Sequence, residues 1–393
     1  MPDFSLKRNQ EKLVEEIRAL VTRKIAPASL ELDRRGDDSF DFSLAGTLAG
    51  LNLLTPTVPR EYGGRGLDYF TTALVLEEIS AGCAGVAAVV TANIHAASPI
   101  ILGGSARQKE TFLPLLAHPH VNLAAFALTE SGSGSDIGAM QSFANPLQAN
   151  GRTAARDYNK AEQWVLNGSK DYIINGGVAK FISVFAATDP RNKRGGMMAF
   201  IVPSGLPGMS VEAVRNKMGI RYASTVRLKF SDLKLDREYV IGRPGSAYLL
   251  LMQTFDRGRS LAGAIGVGIA RAAFEYALKY SRERIQFGRP VYSNQGVSFT
   301  LADLATKIEA ARMLVWKACW LIDRDLDYTM ASSMAKIAGS QVAVEAASAA
   351  MEICGGSGYL TGHPVEKYLR DARVLPLIEG TDNIQKAVIA SLL

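Results

Sequence analysis

The chain has 393 residues and little of what builds metal or disulfide frameworks. Three cysteines, Cys83, Cys319 and Cys354, lie far apart with no CxxC pair. Four histidines, His95, His118, His120 and His363, fall at no zinc-ligand spacing. An odd, sparse thiol count excludes a disulfide scaffold and fits a reducing compartment. There is no Lys/Arg-rich tail: 44 basic and 38 acidic residues leave a charge of +6, spread along the chain. Such a surplus suits an anionic small ligand and does not by itself indicate nucleic acid. The first twenty residues carry acids early and no apolar core, so no signal or transit peptide is expected, and bacterial cytoplasm is the expected location. GxSxG, HExxH and GxxxxGK[ST] are all missing. Gly263, Gly266 and Gly268 stand inside a helical pattern, where close packing explains them better than dinucleotide binding.

What is present is a large core. Hydrophobic residues make up 48% and charged residues 21%, which excludes generic disorder. Residues 79–106 contain no Asp, Glu, Lys or Arg. Asn93, His95 and Pro99 weaken a membrane reading there, and a buried bundle helix is expected.

The pattern divides the chain in three. In 10–25, Leu13, Val14, Ile17, Leu20, Val21 and Ile25 recur at helical spacing, with a kink or end expected at Pro27. Further helices are expected over 67–81, 84–102 and 106–116, and a loop at 118–120. From 122 the texture becomes short β-rich runs at 122–128, 164–167, 172–174, 181–187, 197–202 and 225–230. No helices alternate with them, so an antiparallel barrel or sandwich is expected. Helices return over 246–284, 295–325, 329–353 and 382–393. The fold class is therefore α+β. An N-terminal all-α domain (1–121) and a middle β domain (122–240) precede a C-terminal helical domain (241–393).

Four segments have chemical potential. Residues 129–136 (TESGSGSD) follow an apolar strand and offer free N–H groups and hydroxyls to a phosphate or ring edge; a surface loop reads equally well. Residues 282–290 (RERIQFGRP) combine arginines that can grip a pyrophosphate with an aromatic; a basic helix end is the plainer reading. Residues 355–359 (GGSGY) cap a helix and permit close backbone approach, and the charged stretch 364–374 reads as a helix. In 378–385 (IEGTDNIQ), a lone Glu379 after an apolar run would have a raised pKa and could serve as a general base; the alternative is an exposed residue before a cap at Thr381 or Asp382.

In this order and spacing the four segments resemble the acyl-CoA dehydrogenase family, over about residues 5–390. The resemblance implies a helical domain, a β domain and a C-terminal four-helix bundle. It also implies non-covalent FAD, a homotetramer and an electron-transferring flavoprotein as acceptor. The implied reaction turns an acyl-CoA into the 2-enoyl-CoA, with Glu379 taking the α-proton and hydride passing to flavin N5. Carried over by motif, Phe126, Leu128, Thr129, Gly134 and Ser135 would contact FAD, and Ser135 also the CoA chain. Residues 170–175 (KDYIIN) would set Tyr172, Ile173 and Ile174 against the flavin. Arg284, Gln286 and Phe287, supported by Asn294 and Gln295, would reach the FAD of a neighbouring subunit. Glu352, Gly355 and Gly356, then Thr381 and Asn383, would complete the cofactor site. Asp256, Arg259 and Gly380 would contact the substrate.

Some relatives carry the base two residues after the motif aspartate; here that place is Gly258, which leaves Glu379. Three features depart from the pattern. Ser131 stands where a proline is usual. Ile174 replaces a hydroxyl residue near flavin N5. The arginine that glutaryl-CoA dehydrogenases place within 84–102 is missing, while Asn93 and His95 there could line the acyl pocket. Ile174 keeps an enoyl-CoA reductase, oxidase or desulfinase reading open, and the net charge a weaker nucleic-acid reading.

Overall fold

The computed structural model describes residues 4–35, 40–117, 121–148, 158–189, 191–192 and 195–393. The loop expected at 118–120, with His118 and His120, lies outside them.

Leu13 and Ile17 are buried on one face of the first helix, α1 (Arg8–Leu20), and Val21 and Ile25 of the turn that continues it are buried as well. The chain does not break at Pro27. Val21–Ile25 makes a π turn and the helix resumes as α2 (Ala26–Arg35). The wider π turn supplies the slack that a proline needs in a continuing helix. Then follow α3 (Phe42–Ala49), not anticipated from the sequence, α4 (Tyr69–Gly82), α5 (Ala84–Gly103) and α6 (Ala106–Phe112). Asp41, Asp68 and Ser105 cap α3, α4 and α6 by accepting from first-turn N–H groups. α5 is apolar all round because it is covered all round: every residue from Ala84 to Ile100 is buried.

The middle of the chain is one eight-stranded sheet: β1 (Leu123–Ala127), β2 (Phe143–Leu147), β3 (Gln163–Ile174), β4 (Ala179–Ala187), β5 (Met197–Pro203), β6 (Met209–Val214), β7 (Thr225–Asp236) and β8 (Val240–Ile241). The order is β6-β7-β3-β2-β4-β5-β8, with β1 on β4. Most pairs are antiparallel, but β1 runs parallel to β4, and β2 meets β4 in parallel at Phe143 and Ala187. A parallel pair needs a long return connection, and the intervening β2 and β3 provide it. The two runs expected at 164–167 and 172–174 are a single strand, β3, whose register shifts at Leu166/Gly168 and again at Lys170/Ile173. The second bulge places Tyr172 at φ +61° and turns it out of the sheet.

The last third holds α7 (Ala247–Glu283), a hairpin of β9 (Ile285–Gln286) and β10 (Arg289–Pro290), then α8 (Gln295–Ile322), α9 (Thr329–Cys354), α10 (Pro364–Ala372) and α11 (Asp382–Ala390). α7 and α9 cross at glycine: a Cβ on Gly266 would fall on the carbonyl of Gly339, and one on Gly339 on that of Gly263. Packing is thus the role of that glycine run. α5 and α7 are each long and apolar enough to cross a membrane, yet most of that apolar surface is buried inside the protein.

Candidate active site

Glu379 lies in the turn before α11. Glu379 and Gly380 take left-handed backbone, φ +56° and +78°. Such a conformation is strained for a glutamate, and surrounding bonds hold it. The buried Gln385 donates through Nε2 to the carbonyls of Glu379 (2.9 Å) and Gly380 (3.1 Å). Thr381 caps α11 by accepting from the Ile384 N–H at 3.3 Å. Asp382 accepts from the buried Lys336 of α9 at 2.7 Å and from Ser340 at 2.9 Å.

The expectation of a lone carboxylate with a raised pKa is corrected here. Oε2 of Glu379 lies 3.2 Å from Nε2 of His95, and the two side chains are 20% and 7% exposed. The atoms are at ion-pair distance, though not aligned as a hydrogen bond, and among the described residues neither has another partner. Burial pushes the Glu379 pKa up, but the fields of His95, Arg259 and Lys336 outweigh it and hold the carboxyl below its ordinary value. Burial likewise pushes His95 down, and Glu379 carries it above the ordinary histidine value.

α7 supplies Arg259, buried and paired with Asp256, which also accepts from Thr329 at 3.0 Å. Two of the residues expected to contact substrate are thus tied to each other beside Glu379. Phe126 forms an aromatic wall, its ring 6.0 Å from that of His95, 5.3 Å from Phe185 and 5.9 Å from Phe255. Asn93 is corrected: it does not line a pocket. It is fully buried, accepts from the Ala124 N–H at 2.8 Å and from Asn175 at 3.2 Å, and donates to Leu54 O at 3.3 Å. It clamps α5 to β1 and to the turn that follows β3.

A second group forms around β1 and the bulge of β3. The buried Lys170 donates to Leu128 O and Glu130, both at 2.8 Å, and burial pushes its pKa down to about 8. Glu130 also accepts the N–H groups of Gln141 and Ser142. The loop is therefore rooted, while Gly134 and Ser135 at its tip are exposed. Asp171 donates its N–H to Thr129 O at 2.8 Å and takes both arms of the Arg215 guanidinium, at 2.9 and 2.6 Å. Ser131 donates to the same carboxylate at 2.9 Å, a bond that a proline could not make. Arg215 in turn sits 5.9 Å from the ring centre of Tyr172, which is 61% exposed. Ile173 is buried and Ile174 half-buried against the helical core.

The remaining expected residues stand apart. Phe287 is 98% exposed at the hairpin tip, between Arg284, Gln286 and the start of α8. The Gln286 side chain donates to the carbonyl of its neighbour Ile285, and Asn294 accepts from Arg289 at 3.0 Å. Glu352, Gly355 and Gly356 end α9, with open space beside both glycines. Among the described residues no hydrogen bond or ion pair joins these side chains to Glu379. Thr381 and Asn383 sit with Glu379 at the start of α11.

Sequence reasoning missed Lys336 and Arg215 and did not pair His95 with Glu379. A lysine among apolar neighbours on one helix face was the only local sign of Lys336. The others depend on distant segments meeting.

Three family models match nearly end to end: acyl-CoA dehydrogenase N-terminal domain over 7–119, middle domain over 125–233 and C-terminal domain over 248–393. The short-chain specific acyl-CoA dehydrogenase of Rattus norvegicus is 37% identical over 98% of this chain and 90% of its own. The cyclohex-1-ene-1-carbonyl-CoA dehydrogenase of Syntrophus aciditrophicus is 38% identical over 98% and 89%. The structure of butyryl-CoA dehydrogenase from Megasphaera elsdenii superposes with a TM-score of 0.92 at 35% identity, covering 100% of this chain and 99% of that one. With the helical, β and helical parts in that order, and Glu379 at the turn into α11, the chain belongs to the acyl-CoA dehydrogenase family of oxidoreductases.

Proposed function

We propose that this chain is an FAD-dependent dehydrogenase of acyl-CoA thioesters, with Glu379 as its base. The observation that carries the reading is a one-fifth exposed carboxylate, kept ionised by three cations, at the edge of an aromatic wall. FAD fits the chain. Tyr172 is turned outward by a bulge, and Gly132, Gly134, Gly355 and Gly356 leave space that side chains would fill. Phe126, Leu128, Thr129, Gly134, Ser135, Tyr172, Ile173 and Ile174 would hold it from one side. Glu352, Gly355, Gly356, Thr381 and Asn383 would hold it from another. Arg284, Gln286 and Phe287, with Asn294 and Gln295 behind them, would reach the cofactor of a neighbouring subunit in a homotetramer.

When bound, FAD supplies the acceptor for the β-hydrogen as hydride. The chain's own part is the α-proton: the Cα–H bond breaks and the proton moves to the Glu379 carboxylate. Phe126, Phe255 and the rest of the aromatic wall exclude water from the acyl chain. Asp256, Arg259, Gly380 and Ser135 would position the thioester. Electrons would pass on to an electron-transferring flavoprotein, in the cytoplasm. The three domains would be bounded near 121 and 240.

Anaerobic titration of the flavin-loaded protein with straight-chain, branched and cyclic acyl-CoAs tests this. One class is expected to bleach the visible flavin band. Glu379→Gln should keep the flavin and lose bleaching by about 10²–10⁴-fold in rate. A loaded protein that no thioester bleaches would overturn the reading in favour of an enoyl-CoA reductase, oxidase or desulfinase.

A further inference from the structure

Among the described residues, His95 is the one cation beside Glu379 whose counter-ion is Glu379 itself. Arg259 of α7 is already paired with Asp256, and Lys336 of α9 with Asp382. Among the described residues His95 of α5 has no other carboxylate at ion-pair distance. Its tautomer follows from its second contact. Nδ1 lies 2.7 Å from the Thr91 carbonyl oxygen. A carbonyl only accepts, so Nδ1 carries a hydrogen. In a neutral ring Nε2 would then be bare, and its lone pair would be buried within 3.2 Å of the Glu379 Oε2. Two lone pairs that close and that buried repel. Protonation of Nε2 removes the conflict and makes the pair imidazolium and carboxylate at ion-pair distance.

Space for this ring has been made on purpose in the fold. A Cβ on Gly258 would land on the His95 Nε2 itself. Gly258 is the position where an alternative base could stand in the helix; here it is the gap that admits the imidazole. Oε2 of Glu379 is sealed in by this arrangement, so the side chain's exposure lies on its other atoms.

We propose that His95, held as an imidazolium, is a positioning residue for Glu379, pinning one carboxylate oxygen and leaving the other to take the substrate proton. The proposal rests on Glu379 being the base. The imidazolium keeps that base ionised well into the acid range, at some cost in intrinsic basicity.

The test uses flavin-loaded enzyme, wild type, His95→Gln, Gly258→Ala and Glu379→Gln. Gln at 95 retains a donor without the charge, and Ala at 258 keeps the histidine but takes its space. The acid limb of kcat/KM reports the free enzyme. It is expected to move to higher pH in both H95Q and G258A, with the rate at about pH 5 falling at least about tenfold relative to wild type. A readout independent of turnover is the NMR titration of the four histidines in ring-labelled protein. The resonance lost in H95Q should stay protonated above the ordinary histidine range in wild type, and titrate lower in E379Q. Superimposable pH profiles, or a His95 resonance indifferent to E379Q, would overturn the proposal. An E379Q enzyme that still dehydrogenates would instead remove the base assignment, while the NMR result on the pair would stand.

Discussion

At the scale of single residues, Glu379 and His95 move each other's protons in opposite directions. The Glu379 pKa is held below its ordinary 4.5, and that of His95 above its ordinary 6.5. The carboxylate's contribution to stability is present above the ordinary glutamate value and is lost as pH falls through the lower folded value. The histidine's contribution is present below its ordinary value and is lost as pH rises through the higher folded value. Both are therefore complete only between 4.5 and 6.5. Glu379→Gln should lower the melting temperature most inside that window and progressively less on either side. Thermal unfolding of both proteins across pH checks this; a constant difference at every pH would remove the pair as its source. Ser131 and Asn93 belong to the same scale. One departs from the family pattern yet gains a bond to Asp171; the other looked like a pocket residue and is a clamp.

At the scale of elements, the site is a by-product of close helix crossings and one distorted strand. α7 carries Asp256, Gly258 and Arg259 toward α5 and the α11 turn, and it can approach α9 closely only through Gly263, Gly266 and Gly339. Alanine is favoured over glycine in a helix interior by about 1 kcal/mol. At Gly266 that gain should be outweighed, because the methyl would meet the Gly339 carbonyl. Gly266→Ala is expected to destabilise the protein by about 1–3 kcal/mol net, read from denaturant unfolding. An unchanged or raised midpoint would show that the helices separate without penalty. β3 gives the matching lesson for strands. Its bulge between Lys170 and Ile173 buries Lys170 on the core side and turns Tyr172 out. A regular strand would put residues 170 and 172 on the same face.

At the scale of the whole molecule, a single chain leaves the residues proposed to hold the cofactor in separate places. The hairpin tip at Phe287 is nearly fully exposed, and Tyr359 and Leu360 beyond the end of α9 are exposed as well. Exposed aromatics of this kind mark a surface that a partner covers, which agrees with the proposed homotetramer. Phe287→Asp should weaken both assembly and flavin retention, by about tenfold or more for an aromatic anchor. Sedimentation velocity and flavin release measure the two separately. Normal assembly with normal retention would mean that the hairpin serves neither.

Much was legible in the chain because helical and strand periodicity are local. The 3.6-residue spacing in 10–25, the charge-free run 79–106 and the short β-rich runs after 122 each follow from neighbours within one element. They led to the helical, β, helical order that the structure shows. The segment containing Glu379 was legible for the same reason, as a short continuous motif. What only the tertiary structure decided is what Glu379 faces. His95, Arg259 and Lys336 come from three helices separated by tens to hundreds of residues. No local pattern encodes their meeting. It depends on how close α7 comes to α5 and α9, and so on missing side chains at Gly258 and Gly266. A pKa is a sum of fields over space. The sequence therefore identified the carboxylate, while the packing set the sign of its shift.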